Sequence, residues 1–585
     1  MKRGLAAVAV SLAAALSGPA ATQDMPGVAR ASAGPMTMGP MTMGQATMGP
    51  MPATYAGQAD KPGAPVFTGL SNHKHPISTA NPKTQMFFDQ GVNLLFGFNH
   101  AEAIRSFREA ARLDPDCAMC WWGVAFALGP NINLTMPGDA VAPAWAALRK
   151  AQALQAKASP PERAWIDALA RRYAAAAGSN AGERRHALDE AFAAAMGALW
   201  APHPDDLDAG TFYAEAMMDT QPWDYWAADG QTPKGHAQEI VSTLERVLAR
   251  DPNHPGALHL YIHAVEATTT PERAEAAADR LERLMPDAGH VVHMPSHIYY
   301  RVGRYADAER VNELAAKVDE DYIAACKAQG YYPAGYYAHN IHFLWTSSEM
   351  EGRYEAAIGA ARRLVKATDA PTLAVQLPFA ELYAFTPIVT DLRFEKWDAV
   401  LAEPAPPKTL VLDRAIDLYA KGAAHAAKGE LAAAGDDRDL LSALAAVGDF
   451  SRYGSTPAKA MASLALDLLD GEIARARGDK AAAAARFRNA YQRERTLGYN
   501  EPPYWHQPVS HLLGAALLAD GRPAEAEAVY RESLAVYRDD GWALFGLAQA
   551  LEAQGRREEA ASTRQRFAAA WARADVKLAS SRSPG

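Results

Sequence analysis

The chain has 585 residues, 49% of them hydrophobic and 21% charged. That is the composition of a globular protein able to bury a large core, and it excludes wholesale disorder. A net charge of −9 and the lack of any basic run exclude a general nucleic-acid binder, and three cysteines exclude a disulfide framework.

Lys2 and Arg3 precede an apolar run from Leu5 to Leu16, too short to span a membrane, and small residues follow at Ser17 to Ala21. This pattern predicts a cleaved secretory signal over 1–21 and a periplasmic or secreted protein. No twin arginine and no cleavage-site cysteine accompany it. No later run reaches 18 apolar residues, so no integral membrane segment is expected. Residues 22–70 read as a disordered Met/Gly/Pro-rich tail, with a five-residue repeat over 34–52. Met25, Met36, Met38, Met41, Met43, Met48 and Met51 lie in it. Thioether sulfur is a soft ligand that selects Cu(I), so a copper-capturing tail stands beside the plainer reading of a linker.

From about residue 84 the pattern becomes helical and periodic. The 34-residue segment 84–117 places Gly91, Ala103, Phe107, Ala110 and Pro115 at positions 8, 20, 24, 27 and 32. Small residues there allow two helices to cross closely, an aromatic fills the gap, and proline ends the second helix. Those are the packing positions of a tetratricopeptide repeat. The next unit starts at Ala118, with Trp121 and Ala125 in register. Further registers begin at 255, 289 and 338, marked by Ala274 and Pro286, by Gly303, Tyr305 and Ala308, and by Gly352, Tyr354 and Ala357. Others begin at 464, 507 and 541, marked by Gly478 and Phe487, by Gly514 and Tyr530, and by Ala548 and Gly555. The expected fold is all-α, a superhelical solenoid of roughly nine to eleven helical hairpins. The expected organisation is N-terminal repeats over 71–250, histidine-rich repeats over 251–372, degenerate helical repeats over 373–460, C-terminal repeats over 461–575 and a disordered tail over 576–585.

In such a solenoid, positions 2, 5, 9 and 12 of each repeat face the concave groove. Eight of the 17 histidines fall between 254 and 342, where an even spread would put about 2.6. His259 and His263 occupy positions 5 and 9 of one repeat, His293 and His297 positions 5 and 9 of the next, and His339 and His342 positions 2 and 5 of a third. Histidines at i and i+4 can hold one metal ion from a single helical face, and stacked hairpins bring such pairs within reach of a shared or dinuclear site. Neutral imidazole suits Zn, Cu, Fe and Ni. Glu215 and Glu266 are the candidate carboxylates. Pro295 splits the second pair, and since proline is tolerated only in a first helical turn, that helix should begin near His293. A polar groove for a peptide or anion, or a purely structural hydrogen-bond network, would use the same histidines.

Tyr299, Tyr300, Tyr331, Tyr332, Tyr336 and Tyr337 surround this segment as packing residues or as pocket walls. His506 and His511 form a smaller group. His73 and His75 precede the first repeat, where they could cover the groove. Cys117 and Cys120 form a CxxC without the following histidine of a haem site, read as small packing residues at a repeat junction in preference to a local disulfide; Cys326 is left over. No Walker loop, dinucleotide fingerprint, GxSxG or HExxH occurs.

The stretches HPIST (75–79), DPNHPGALHLYIHAVEA (251–267), AGHVVHMPSHIYYRVGRY (288–305) and AHNIHFL (338–344) resemble a large bacterial group of extracytoplasmic tetratricopeptide repeat (TPR) proteins. A eukaryotic likeness, tetratricopeptide repeat protein 38, is more distant. The resemblance implies a TPR solenoid and carries no activity. The sequence thus points to an exported solenoid holding a transition metal, copper first and zinc or iron next, on His259, His263, His293, His297, His339, His342, Glu215 and Glu266. The alternative is a non-enzymatic adaptor with a peptide or protein partner in the groove.

Overall fold

A computed structural model describes residues 63–174, 183–326, 328 and 331–584. The expected signal and the methionine repeat lie outside the described residues. The rest is a succession of antiparallel helical hairpins, beginning with Pro82–Phe96 against His100–Leu113 and ending with Gly541–Ala553 against Arg557–Ala570. It is an all-α TPR superhelix. Among the described residues, no helix is long and apolar enough to cross a membrane.

The repeat logic is visible in the packing. The Phe107 ring is fully buried between Gly91 of its own hairpin and Gly123 of the next, and a Cβ at either glycine would overlap it. Tyr530 sits in the same way between Gly514 and Gly546. Side-chain caps and N-terminal prolines fix the helix starts: Asn81 accepts from the Lys83 amide, and Ser159 with Glu162 forms a capping box.

Three local expectations are revised. Residues from Gly63 onward already lie on the first hairpin, because Gln90 donates to the Pro65 carbonyl and Arg105 to that of Gly63, which satisfies backbone groups of the segment read as tail. At the other end, Leu578–Ser580 pairs antiparallel with Ser583–Pro584, and the Arg582 guanidinium meets the buried Glu472 carboxylate, so this segment is held by a charge. Cys117 and Cys120 are joined by a disulfide at the start of the helix Ala118–Ala127, where Cys117 is also the N-cap. A CxxC spanning a helix N-terminus brings its two sulfurs within bonding reach, so the local disulfide holds in place of the packing reading.

Candidate metal centre

The helix Pro255–Val265 presents His259 and His263 one turn apart, and Glu266 caps its end. The following hairpin opens with a broken helix. One segment runs Gly289–His293, and after Met294 a second runs Pro295–Arg301. The helix therefore starts at Gly289, a turn before the expected point, and Pro295 begins a new segment where its missing N–H costs nothing. The break places His290 and His293 on the first segment and His297 on the second. The third helix, Ala338–Met350, carries His339 and His342 and continues a π-helical turn at Tyr332–Tyr337.

These elements gather two triads of imidazoles. His259, His263 and His290 bring ligand nitrogens within 4.8 Å of one another, and so do His293, His297 and His339. Glu266 lies between the triads. Its two oxygens accept from His263 Nδ1 at 2.8 Å and from His297 Nδ1 at 2.5 Å. His259 Nδ1 donates to the Phe96 carbonyl at 2.5 Å, and His293 Nδ1 to Asn312 Oδ1 at 2.6 Å. The Asn312 amide is itself oriented, because its Nδ2 donates to the Ala308 carbonyl.

The proton inventory follows from these partners. Carboxylate, carbonyl and amide oxygens only accept, so all four Nδ1 atoms carry the proton. In the neutral imidazoles each Nε2 is then a lone pair. Those of His259 and His263 are buried with no hydrogen-bond partner in the protein, as are both ring nitrogens of His290. Those of His293 and His297 face each other at 2.9 Å, a contact that needs a proton or a cation between them. Burial holds His259, His290, His293 and His339 well below the ordinary histidine range, with neighbouring imidazoles adding to the effect. His263 is lowered by burial, against the pull of Glu266. Burial lowers His297 as well, but Glu266 overrides it and holds this imidazole above its ordinary value. Burial opposes charge on Glu266, yet His297 and His263 hold its carboxyl well below the ordinary range.

A cavity of about 100 Å³ opens over the imidazoles, with His263, His290, His297, His339 and His342 on its floor. Trp223, Tyr336, Phe379, Tyr383 and Tyr504 give it aromatic walls. Its far side comes from distant repeats. Tyr499 donates to Glu266 across 233 residues of sequence, at 3.3 Å. Tyr499 also bonds Glu501, a cavity residue whose carboxyl burial raises to about 7. The Arg452 guanidinium on the same side is committed to the carbonyls of Ala374, Val375 and Thr409.

Two of the sequence candidates lie elsewhere. His342 lines the cavity but stacks on Trp345, 5.2 Å between centroids and nearly parallel, and joins neither triad; burial lowers it to about 3. Glu215 is buried near Arg172 and Asp219, with its carboxyl raised by burial to about 7, and is in no histidine group. Position 9 of a repeat faces inward everywhere, but the groove changes occupant from one repeat to the next. His290 completes the first triad although it is not among the sequence candidates; as position 2 of the repeat beginning at 289 it is an inward position by the same register that selects His339.

The histidines around Asp208 and at 511 meet carboxylates, whereas neither ring nitrogen of the buried His506 has a hydrogen-bond partner. Asp208 accepts from His254 Nε2 at 2.9 Å and lies 2.9 Å from His73 Nε2 and 2.6 Å from His75 Nδ1. His254 Nδ1 accepts from the Ala257 amide, so its proton sits on Nε2 and points at Asp208. That knot pins the N-terminal segment by hydrogen bonds. His511 bonds Asp540 at 2.5 Å. His506 is buried beside Trp505, while its neighbours Glu501 and Tyr504 reach the cavity.

A tetratricopeptide repeat family model matches residues 517–568, across the last two registers. No curated protein matches the chain. Solved structures with a similar helical course include a human IFIT1 dimer with m7Gppp-AAAA, at 11% identity over 84% of this chain and 91% of that one, TM-score 0.32. Yeast Tom70 is similar at 10% identity over 83% and 90%, TM-score 0.28. The TPR reading therefore rests on the hairpins and on the matched repeat.

Proposed function

We propose that this TPR solenoid is exported and binds a transition metal through the histidines of its groove, for metal-dependent chemistry on a small molecule. One observation carries the reading: four imidazoles have their Nδ1 protons committed to pure acceptors, which turns four Nε2 atoms inward, and the lone pairs on those of His259 and His263 are buried with no hydrogen-bond partner. A structural network would pair those lone pairs with donors, because an unmet buried acceptor costs about 1–3 kcal/mol. A carboxylate or carbonyl behind each ligating histidine is the usual outer shell of a metal site. A bound ion would supply Lewis-acid or redox chemistry on the open side. Copper is favoured, because the methionine repeat and the secretory signal read from the sequence both suit it; zinc and iron accept the same donors. The aromatic walls, with the one nearby guanidinium already engaged, suit a small, planar, uncharged ligand.

Elemental analysis of untagged protein purified without chelator tests this. One or more equivalents of copper, zinc or iron, reduced in the His259→Ala/His263→Ala double variant, support it. Metal-free protein that also fails to bind added Cu(II) or Zn(II) overturns it. An adaptor reading has one feature in its favour, a neighbouring cleft of about 630 Å³ lined by Trp226, Arg495, Tyr499 and Tyr537. It predicts a co-purifying peptide partner lost in Arg495→Glu and insensitive to chelator.

A further inference from the structure

Six imidazoles are more than one ion needs. A catalytic tetrahedral site uses about three protein ligands and keeps one position open. The imidazoles here divide into two groups of three, each with ligand atoms mutually within 4.8 Å. Glu266 divides its oxygens in the same way, Oε1 to a member of the first group and Oε2 to a member of the second. One carboxylate thus fixes the tautomer of one ligand in each triad.

The Nε2 atoms of His293 and His297 stand 2.9 Å apart. Two nitrogens on one tetrahedral ion at 2.0–2.1 Å stand roughly 3.4 Å apart, so a small rotation of either ring admits an ion. His297 is thereby committed to the second triad, and His263, with its own buried and unpartnered Nε2, to the first. Buried carboxylates balance the added charge: Glu266 directly, and Glu501 through the shared Tyr499 hydroxyl.

We propose that the centre holds two transition-metal ions, one on His259, His263 and His290 and one on His293, His297 and His339, with Glu266 as the outer-shell carboxylate common to both. This rests on the metal-binding reading above. A single ion bound directly to Glu266, His263 and His297 is the rival arrangement, and it would use the two Nδ1 atoms.

The experiment is a titration of chelator-stripped full-length protein with Co(II), followed by its visible d–d absorption and by equilibrium dialysis. Co(II) reports coordination number by band intensity, and soft thioethers retain it poorly, so the methionine repeat does not contribute. Two tight equivalents are expected in the wild type and one each in His259→Ala and His339→Ala. His254→Ala, in the Asp208 knot, should keep two. Glu266→Gln should keep two with weakened affinity. One equivalent in the wild type overturns the two-ion centre and leaves the metal reading standing; none overturns both. Complete loss in Glu266→Gln, with wild-type circular dichroism and melting, favours the single ion on Glu266 and overturns the proposal. Loss of an equivalent in His254→Ala overturns the ligand assignment.

Discussion

Replacing Glu266 with glutamine keeps the shape of the side chain and removes one acceptor. The carboxylate takes protons from both His263 Nδ1 and His297 Nδ1. The amide accepts from one and must donate to the other. The imidazole that meets the NH₂ has to carry its proton on Nε2, where the ligand lone pair was. Loss of an outer-shell partner typically costs 10–100-fold in metal affinity, so the triad that keeps its tautomer should weaken by about 1.4–2.7 kcal/mol. The other triad keeps its imidazole but must move that proton off Nε2 before it can ligate, and should weaken further. Competition against a chromophoric chelator at pH 7.5 resolves both steps, and Glu266→Asp, which keeps two acceptors, should recover part of the affinity. Equal affinities in wild type and Glu266→Gln would refute the claim that this carboxylate sets the tautomers.

Other outcomes follow from the same structure. Chelator should lower the melting temperature of the wild type more than that of the His259→Ala/His263→Ala variant, which keeps only the second triad, because each site that binds the folded form contributes RT ln(1 + [L]/Kd); an equal shift in both would remove the link between the first triad and stability. Phe98 is buried against His259, with ring centroids 4.4 Å apart, and Phe98→Ala should destabilise by about 3–5 kcal/mol and loosen Co(II) binding, read by urea unfolding and titration. Burial holds His100 at about 4 and His506 at about 3, against 6.5 for the ordinary imidazole, so the unfolded chain takes up these protons first. Their stabilisation is complete above pH 6.5 and is lost as pH falls toward the folded values, about 1.4 kcal/mol each by pH 5.5. The gap in stability between pH 8 and pH 5.5 should shrink by that amount in His506→Gln, and an unchanged gap would count against the burial argument. Phe107→Ala, which empties the space between Gly91 and Gly123, should cost about 3–5 kcal/mol, with hydrogen exchange rising first in the N-terminal hairpins, since repeats couple mainly to their neighbours.

The sequence by itself determined the repeat and its inner face. Glycine and aromatic positions such as Gly91 with Phe107 and Gly514 with Tyr530 are local in the chain, and their spacing states which helices cross closely. The same register put His259, His263, His293, His297 and His339 on one groove, and placed Glu266 near the first pair. Tertiary structure decided the rest, because the site depends on distances between repeats and on the path of the chain where the register breaks. Along the helix divided at Pro295, His290 joins one triad while His293 and His297, on either side of the break, join the other. His342 meets Trp345 and Glu215 lies with Arg172, though both occupy inward positions. Glu501 and Tyr504 line the cavity and Tyr499 reaches Glu266 across 233 residues of sequence, through a superhelical return that no local period encodes. Which nitrogen of each histidine carries its proton is set by the Phe96 carbonyl, Asn312 and Glu266, partners that only the folded chain brings within hydrogen-bonding distance.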